Sequence, residues 1–453
     1  MFATMNSARW FGLVAFWLGC GWLAATAIAA DAASLEVGAG KPFGRIEDAV
    51  AAAKAGDAVV VYPRADGTPY ERVALRVVMP GVCLRGWRGA AGEGARVELR
   101  GEGFDYSGAG AVPRAVVQFD GAADGSSIEG FDISGARNAS HNGAGVRING
   151  ASHVVIRGCA IHGNDMGIMS NGGASTASGA DQRIEASLIY SNGTDADPGQ
   201  NHNLYLGGES VVISGCEVRS STTGHNVKSR ARYTRVEYCY IHDAANRELD
   251  LVDSPETEAP GSDAVLLGTI IVKAKDMAGN HEVVHFGRDG KHGHAGTLYV
   301  VNCTVVTGYA SAVVTLSADG TRAVMANNLF SDAGSRQRHM RLMGMRGIAG
   351  TGAWRLEASH DVFDGDFDDA PPGAVRTSRP LRFVAPEAGD CRVVEAPSCV
   401  RGTGASLVSL HVPMGNGRDW TGEPFLQYAH PQGTIARADA AAPDIGAQRA
   451  AQP

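Results

Sequence analysis

Tyr205, Lys228, Asp250 and His285 follow an apolar residue at the same place in short segments: Asn203-Leu204-Tyr205-Leu206, Asn226-Val227-Lys228-Ser229, Glu248-Leu249-Asp250-Leu251 and Val283-Val284-His285-Phe286. If these segments are strands with their apolar residues inward, side chains alternate, and Arg147, Met169, Tyr205, Lys228, Asp250 and His285 form one outward row. Asn203, Asn226 and Glu248, two residues earlier, are expected on the same face, and Arg230 continues it. A row of amine, guanidinium, phenol, imidazole and carboxylate can move protons and stabilise charge. Removing a proton next to a carboxylate requires both, since the developing negative charge must be met by cations or a metal. Two neighbours act oppositely on Lys228: Arg230 would depress its pKa toward that of a working base, and Asp250 would raise it. A structural ion pair, or a plain solvated face, is the rival reading.

The elements that position this row are read from a repeat. IEGFDI from Ile128, IRGCAI from Ile156, IEASLI from Ile184, ISGCEV from Ile213 and VEYCYI from Val236 align, as do LLGTII from Leu266, VVNCTV from Val300 and MANNLF from Met325. The step is about 28 residues, and each segment is short, alternating and followed by turn residues, which reads as strand. One equivalent strand per step must run parallel to the last, and stacking a coil on itself buries it. The fourth position, holding Cys159, Cys216, Cys239 and Cys303, is then an internal ladder of thiols. Phe43 to Lys54 reads as an amphipathic helix ended by Gly56, placed to cover the open end of the coil.

This arrangement resembles the right-handed parallel β-helix superfamily of pectate-lyase-like proteins. The helical cap, the Pro63…Gly67…Tyr70-Glu71 turn and the tail segments AGDCRVVEAPSC from Ala388 and PDIGA from Pro443 belong to that resemblance. It implies an all-β solenoid with a capping helix and irregular C-terminal coils. Within it, Asn226-Val227-Lys228-Ser229 resembles the catalytic strand of polysaccharide lyases of the chondroitinase B and alginate lyase type. The resemblance implies Lys228 as base. On a lyase reading Arg230 or Arg247, neither of which matches the pattern by position, would neutralise a uronate carboxylate, and Tyr205 or His285 would be the proton donor. Asn203, Asn226, His225 and Arg147 would bind sugar. The match is partial: Asp250 stands where the pattern wants arginine, and Thr222, Thr223, Gly224 and His225 stand where acidic calcium ligands are expected.

Other chemistries are weighed on the same residues. Glu248, Asp250 and Asp253 could gather a hard cation such as calcium; otherwise no cofactor is expected. Glu248 and Asp250, about 7 Å apart on one strand face, suit a paired-carboxylate glycoside hydrolase. A non-catalytic glycan-binding scaffold would use the same face. His281-Glu282-Val283-Val284-His285 spells the zinc-protease motif, but on a strand its histidines lie about 13 Å apart, too far to share a metal. No G-x-S-x-G elbow is present.

Composition agrees with a turn-rich β chain: 60 glycines and 18 prolines among 453 residues, without a collagen period, and 44% hydrophobic residues, too many for disorder. Forty Lys and Arg against 48 Asp and Glu give a net charge of -8, which speaks against nucleic acid. A protein this acidic that binds acidic sugar must concentrate cations, and Lys228, Arg230, Arg232, Arg235 and Arg247 are the candidates. Residues 1–29, apolar after Arg9 and closing on Ala27-Ile28-Ala29, read as a signal peptide, implying a periplasmic or secreted protein without stable membrane insertion once cleaved. Residues 30–345 are assigned to the coil and 346–453 to coils and tail completing it, as a monomer acting on an acidic polysaccharide. Cys391 and Cys399 are spaced for a local disulfide, with free thiols as the alternative.

Overall fold

The computed structural model describes residues 32–451 apart from 91, 93, 172–177, 333, 336–337, 349–354, 407–409, 423–424 and 438–442. The proposed signal peptide lies outside the described residues. From Ala33 onward the chain forms one compact unit. Its strands make three long sheets of 12, 11 and 10 strands, each turn of the chain contributing one short strand to each sheet. All the pairings within these three sheets are parallel, which makes a parallel β-helix. The expected register holds turn by turn: Ile128, Ile156, Ile184, Ile213, Val236, Leu266, Val300 and Met325 are successive partners in the first sheet. Isoleucine and valine suit these positions because a branched side chain stiffens χ1 and packs against the identical position one turn away. Each such burial is worth roughly 1.5–3 kcal/mol.

The aligned hexapeptides are not single strands. Each is cut by a corner at its third residue, and the two halves belong to different sheets, as in Ser127–Glu129 and Phe131–Ser134. Gly130, Gly158, Ala186, Gly215, Tyr238, Gly268, Asn302 and Asn327 occupy this corner, all at positive φ between 45° and 76°. One left-handed residue turns the chain sharply, and alternation resumes beyond it, so the sequence pattern hides the bend. The next residue points into the corner. Its backbone N–H is received by the side chain one turn on: Cys159 by Ser187 at 3.2 Å, Cys303 by Asn328 at 2.8 Å, Asn328 by Asp361 at 2.8 Å. The seven described cysteines are free, so Cys391 and Cys399 form no disulfide. Burial pushes the Cys159 thiol up to about 11 and that of Cys303 up to about 12. The helix is shorter than expected, Ile46–Ala52, and buries Ile46 and Ala49 against the first strands.

A second ladder lines the corner before the third sheet. Asn164 donates to Asn192 at 3.0 Å, Asn192 to Asn203 at 2.9 Å, Asn203 to Asn226 at 2.8 Å and Asn226 to Glu248 at 2.7 Å. Each oxygen also receives a backbone N–H, and each amide reaches a carbonyl, as Asn203 does at Arg219. The run ends on a buried ion pair between Glu248 and Lys273 at 3.6 Å. Parallel coils continue to Arg376. The tail then packs back over the outer faces of the first two sheets, with Trp420 and Phe425 on Tyr233 and Tyr238, and Tyr428 and Cys391 on Tyr240. The outward row of the third sheet carries Arg147, Lys228, Asp250 and His285, while the first sheet carries its own ion pairs, Arg157 with Glu129 and Glu185.

Two outcomes follow for stability. Asn203→Ala leaves the Asn192 N–H without its acceptor in a dry corner; a loss of about 2–4 kcal/mol is expected in urea unfolding, far more than a surface residue would cost. Asp361 is pushed up to about 7, by burial above all, and its Oδ2 has no hydrogen-bond partner. With the folded value above the unfolded one, its stabilising proton is fully held below about pH 4 and lost as pH rises through about 7. Asp361→Asn should therefore be more stable than the parent at pH 8, by up to about 4 kcal/mol, with the advantage vanishing near pH 4 in the same urea series.

Candidate active site

The third sheet sets the row. Tyr205 pairs with Lys228, Lys228 with Asp250, Asp250 with His285 and His285 with Thr315, on strands Leu204–Leu206, Val227–Ser229, Leu249–Val252, Val284–Gly287 and Ala312–Leu316. Leu204, Val227, Leu249 and Val284 on the same strands are buried in the core. The alternation thus brings Tyr205, Lys228, Asp250 and His285 onto one outer face.

Asp250 is the hub, with a side chain 1% exposed. Its Oδ2 accepts Lys228 Nζ at 2.8 Å and lies 3.4 Å from His225 Nε2. Its Oδ1 lies 2.7 Å from His285 Nδ1 and 3.3 Å from Arg247 Nη1. Burial alone would raise the Asp250 carboxyl, but His285, His225 and Lys228 hold it well below the usual range. Burial would likewise lower Lys228; Asp250 and Asp289 prevail and raise it. Lys228 is thus an ammonium at neutral pH. His225 is driven down to about 4, by burial first and then by Lys228 and Arg247 against Asp250, and is neutral. Its ring stacks on His202, whose Nδ1 accepts the His225 N–H.

Arg230 spans the row's solvent side. Nε donates to Tyr205 Oη at 3.0 Å, Nη1 to the Asp253 carbonyl at 2.5 Å and Nη2 to Asp289 at 2.8 Å. Arg247 is turned away, its fork closed by Glu282 at 2.7 Å and Asp250. His285 Nε2 lies 2.6 Å from Ser317 Oγ. Next to Glu282 an open depression of about 610 Å³, lined by His281, Tyr309, Thr315, Arg341 and Arg346, prolongs the face.

Several expectations are corrected. Asn203, Asn226 and Glu248 do not face outward; all three are fully buried in the interior ladder. They stand just before their strands begin, at the corner, where the two-residue alternation does not yet apply. Asn203 and Asn226 are therefore closed to sugar. Glu248, which burial pushes up to about 7, cannot pair with Asp250 across a glycosidic bond. Nor do Glu248, Asp250 and Asp253 form a calcium site: one points inward, one is saturated by cations, and Asp253 accepts the N–H groups of Asp289, Gly290 and His292. Arg147 lies two turns before Tyr205, donating to Asn149 and to the Met169 sulfur. Arg232 is held by Glu209, and Arg235 lies on the first sheet under Met414. His281 stacks on Tyr309 while His285 is buried on Asp250, so the zinc motif is dispersed.

Asp289, Glu282 and Ser317 are site residues that the repeat did not reveal. Asp289 and Ser317 lie beyond the ends of their strands, Val284–Gly287 and Ala312–Leu316. The arrangement can hold an anion at Lys228 and Arg230 and move a proton at Tyr205.

Compared by sequence, no family model and no curated protein matches the chain. Among solved structures, it is similar to a pectate lyase, Pel9A, at 13% identity, covering 92% of this chain and 96% of that one with a TM-score of 0.49. An alginate lyase from Paenibacillus sp. str. FPU-7 is 17% identical over 73% of this chain and 99% of that one, with a TM-score of 0.48. A pectin methylesterase from carrot is 11% identical over 72% and 88%, with a TM-score of 0.38. At such identities no residue role is carried across.

Proposed function

We propose that the outer row of the third sheet is the groove of a lyase that cleaves a uronate-containing polysaccharide by β-elimination, outside the cytoplasm. The observation that carries this reading is the paired cation: Lys228 and Arg230 together hold one carboxylate oxygen, at 2.7 and 2.8 Å. A uronate carboxylate seated there is neutralised by the chain itself, which acidifies the adjacent C5–H. Tyr205, whose Oη accepts the Arg230 Nε–H and is positioned by it, is the proton carrier. Tyr205 Oη accepts the C5 proton as its own hydroxyl proton passes to the C4 leaving oxygen; the C4–C5 double bond forms, the C4–O bond breaks, and Tyr205 ends as it began. Lys228 therefore serves as cation rather than base, because its two carboxylates keep it protonated. A repeated row along the stack, with turns about 4.8 Å apart, suits an extended polymer.

A second reading rests on one observation. Asp250, His285 and Ser317 stand in the carboxylate–imidazole–hydroxyl relation of a serine esterase, at 2.7 and 2.6 Å. Ser317 Oγ is also engaged by the Arg288 N–H, which leaves it less free to attack, and the lyase is preferred. Covalent labelling of Ser317 by a fluorophosphonate would reverse that preference.

The roles are separable by substitution. Mature protein offered a panel of uronate polysaccharides, with and without calcium, should release unsaturated sugar ends. Lys228→Arg keeps the charge and should retain activity, Lys228→Ala should not, and Tyr205→Phe should lose about 10²–10⁴-fold in kcat. Failure of every substrate, or a Tyr205→Phe enzyme as fast as the parent, would sink the mechanism.

A further inference from the structure

Asp289 lies between the groove and solvent. Its side chain is 40% exposed, against 11% for Lys228, 27% for Arg230 and 1% for Asp250. One oxygen, Oδ2, receives both Lys228 Nζ and Arg230 Nη2. The other partners of these cations belong to the body of the protein: Asp250 beneath Lys228, and Tyr205 with the Asp253 carbonyl around Arg230. Asp289 thus fills their solvent-facing side, where a carboxylate arriving from outside would sit.

We propose that Asp289 is an internal stand-in for the substrate's carboxylate and sets which anions enter the site: a ligand must displace it from Lys228 and Arg230, so uncharged sugars are refused and uronates are admitted. The proposal deepens the acidic-glycan reading above and rests on it. Displacement does not require the loop to open. Asp253, itself buried, accepts the backbone N–H groups of Asp289, Gly290 and His292 at 2.6, 2.7 and 2.8 Å, which fixes the loop backbone. Rotation of the Asp289 side chain about its own torsions is enough. The exchange is of like for like: one carboxylate leaves two charge-assisted hydrogen bonds and another takes them, while Asp289 gains water. A neutral sugar offers nothing in return for separating Asp289 from two cations, and this asymmetry is the source of selectivity.

The test uses the full mature chain and the variant Asp289→Asn, which keeps the side chain's shape and removes its charge. Binding of oligouronates and of neutral oligosaccharides of the same length is measured by calorimetry, and Lys228 reactivity by amine acylation followed by mass spectrometry. The expected result is oligouronate affinity raised about tenfold or more in the variant, the scale of one charged hydrogen-bond exchange. Lys228 should be acylated several times faster in Asp289→Asn than in the parent, and bound oligouronate should protect it. Asp289→Glu should restore the parent's behaviour. Unchanged or weaker oligouronate binding by Asp289→Asn overturns the proposal, as does loss of turnover without loss of binding, which would make Asp289 a participant in the reaction. If no oligouronate binds either protein, the acidic-glycan reading fails instead; equal Lys228 acylation in the two proteins would then also show that Asp289 does not cover the amine.

Discussion

One buried carboxylate orders the charged face. Removing Asp250 from water is costly, and the structure meets that cost by gathering Lys228, Arg247, His285 and His225 around it. Because Lys228 and His225 come from the preceding turn and His285 from the next, Asp250 ties three consecutive coils together through side chains as well as backbone. It also fixes where the remaining groups can point. With Lys228 drawn to Asp250 and Arg247 shared with Glu282, Arg230 is the guanidinium left facing Tyr205 and the groove. The same carboxylate sets the character of Lys228, keeping it charged where a free lysine of similar burial would tend to shed its proton.

Much of the fold was legible in the residues. The column from Ile128 to Met325 could be written down before any coordinates, because a parallel coil places the same kind of side chain at the same site in each turn. The outward row from Tyr205 to His285 followed from the two-residue period. What was not legible lies where that period breaks. Ala186 and Tyr238 take the left-handed corner without being turn-formers, since the stacked neighbours dictate the bend. Asn203 and Asn226 precede the first residue of their strands, and counting back by two put them on the wrong side.

The charged loop residues were hidden for another reason. Connections between turns vary in length, so Asp289, two residues past the end of its strand, has no paired equivalent in neighbouring repeats. Ser317 follows Leu316 at the place where the preceding turns have Gly287 and Val252, and so had no polar counterpart to betray it. Glu282 was visible in the sequence, but as part of a metal motif that presupposes a helix. Reading it as strand removed the zinc site without revealing that its carboxylate would restrain Arg247 and Arg346. Long-range charge pairing is a property of the finished stack, and it is the part of the site that local pattern describes least.

The tail has a consequence of its own. It leaves the last coil and runs back along the stack, with Gly446 bonded to Asn327, Tyr240 to Pro386, Gly433 to Gly215, and Gln432 reached by Arg96 from one of the earliest turns. A solenoid bounded only by its neighbours can gain or lose a coil by duplication with little disturbance. Here a strap of fixed length is fastened at several heights. Inserting one turn would shift every fastening above it out of step, so the tail acts as a ruler, and the number of coils is a quantity the molecule measures.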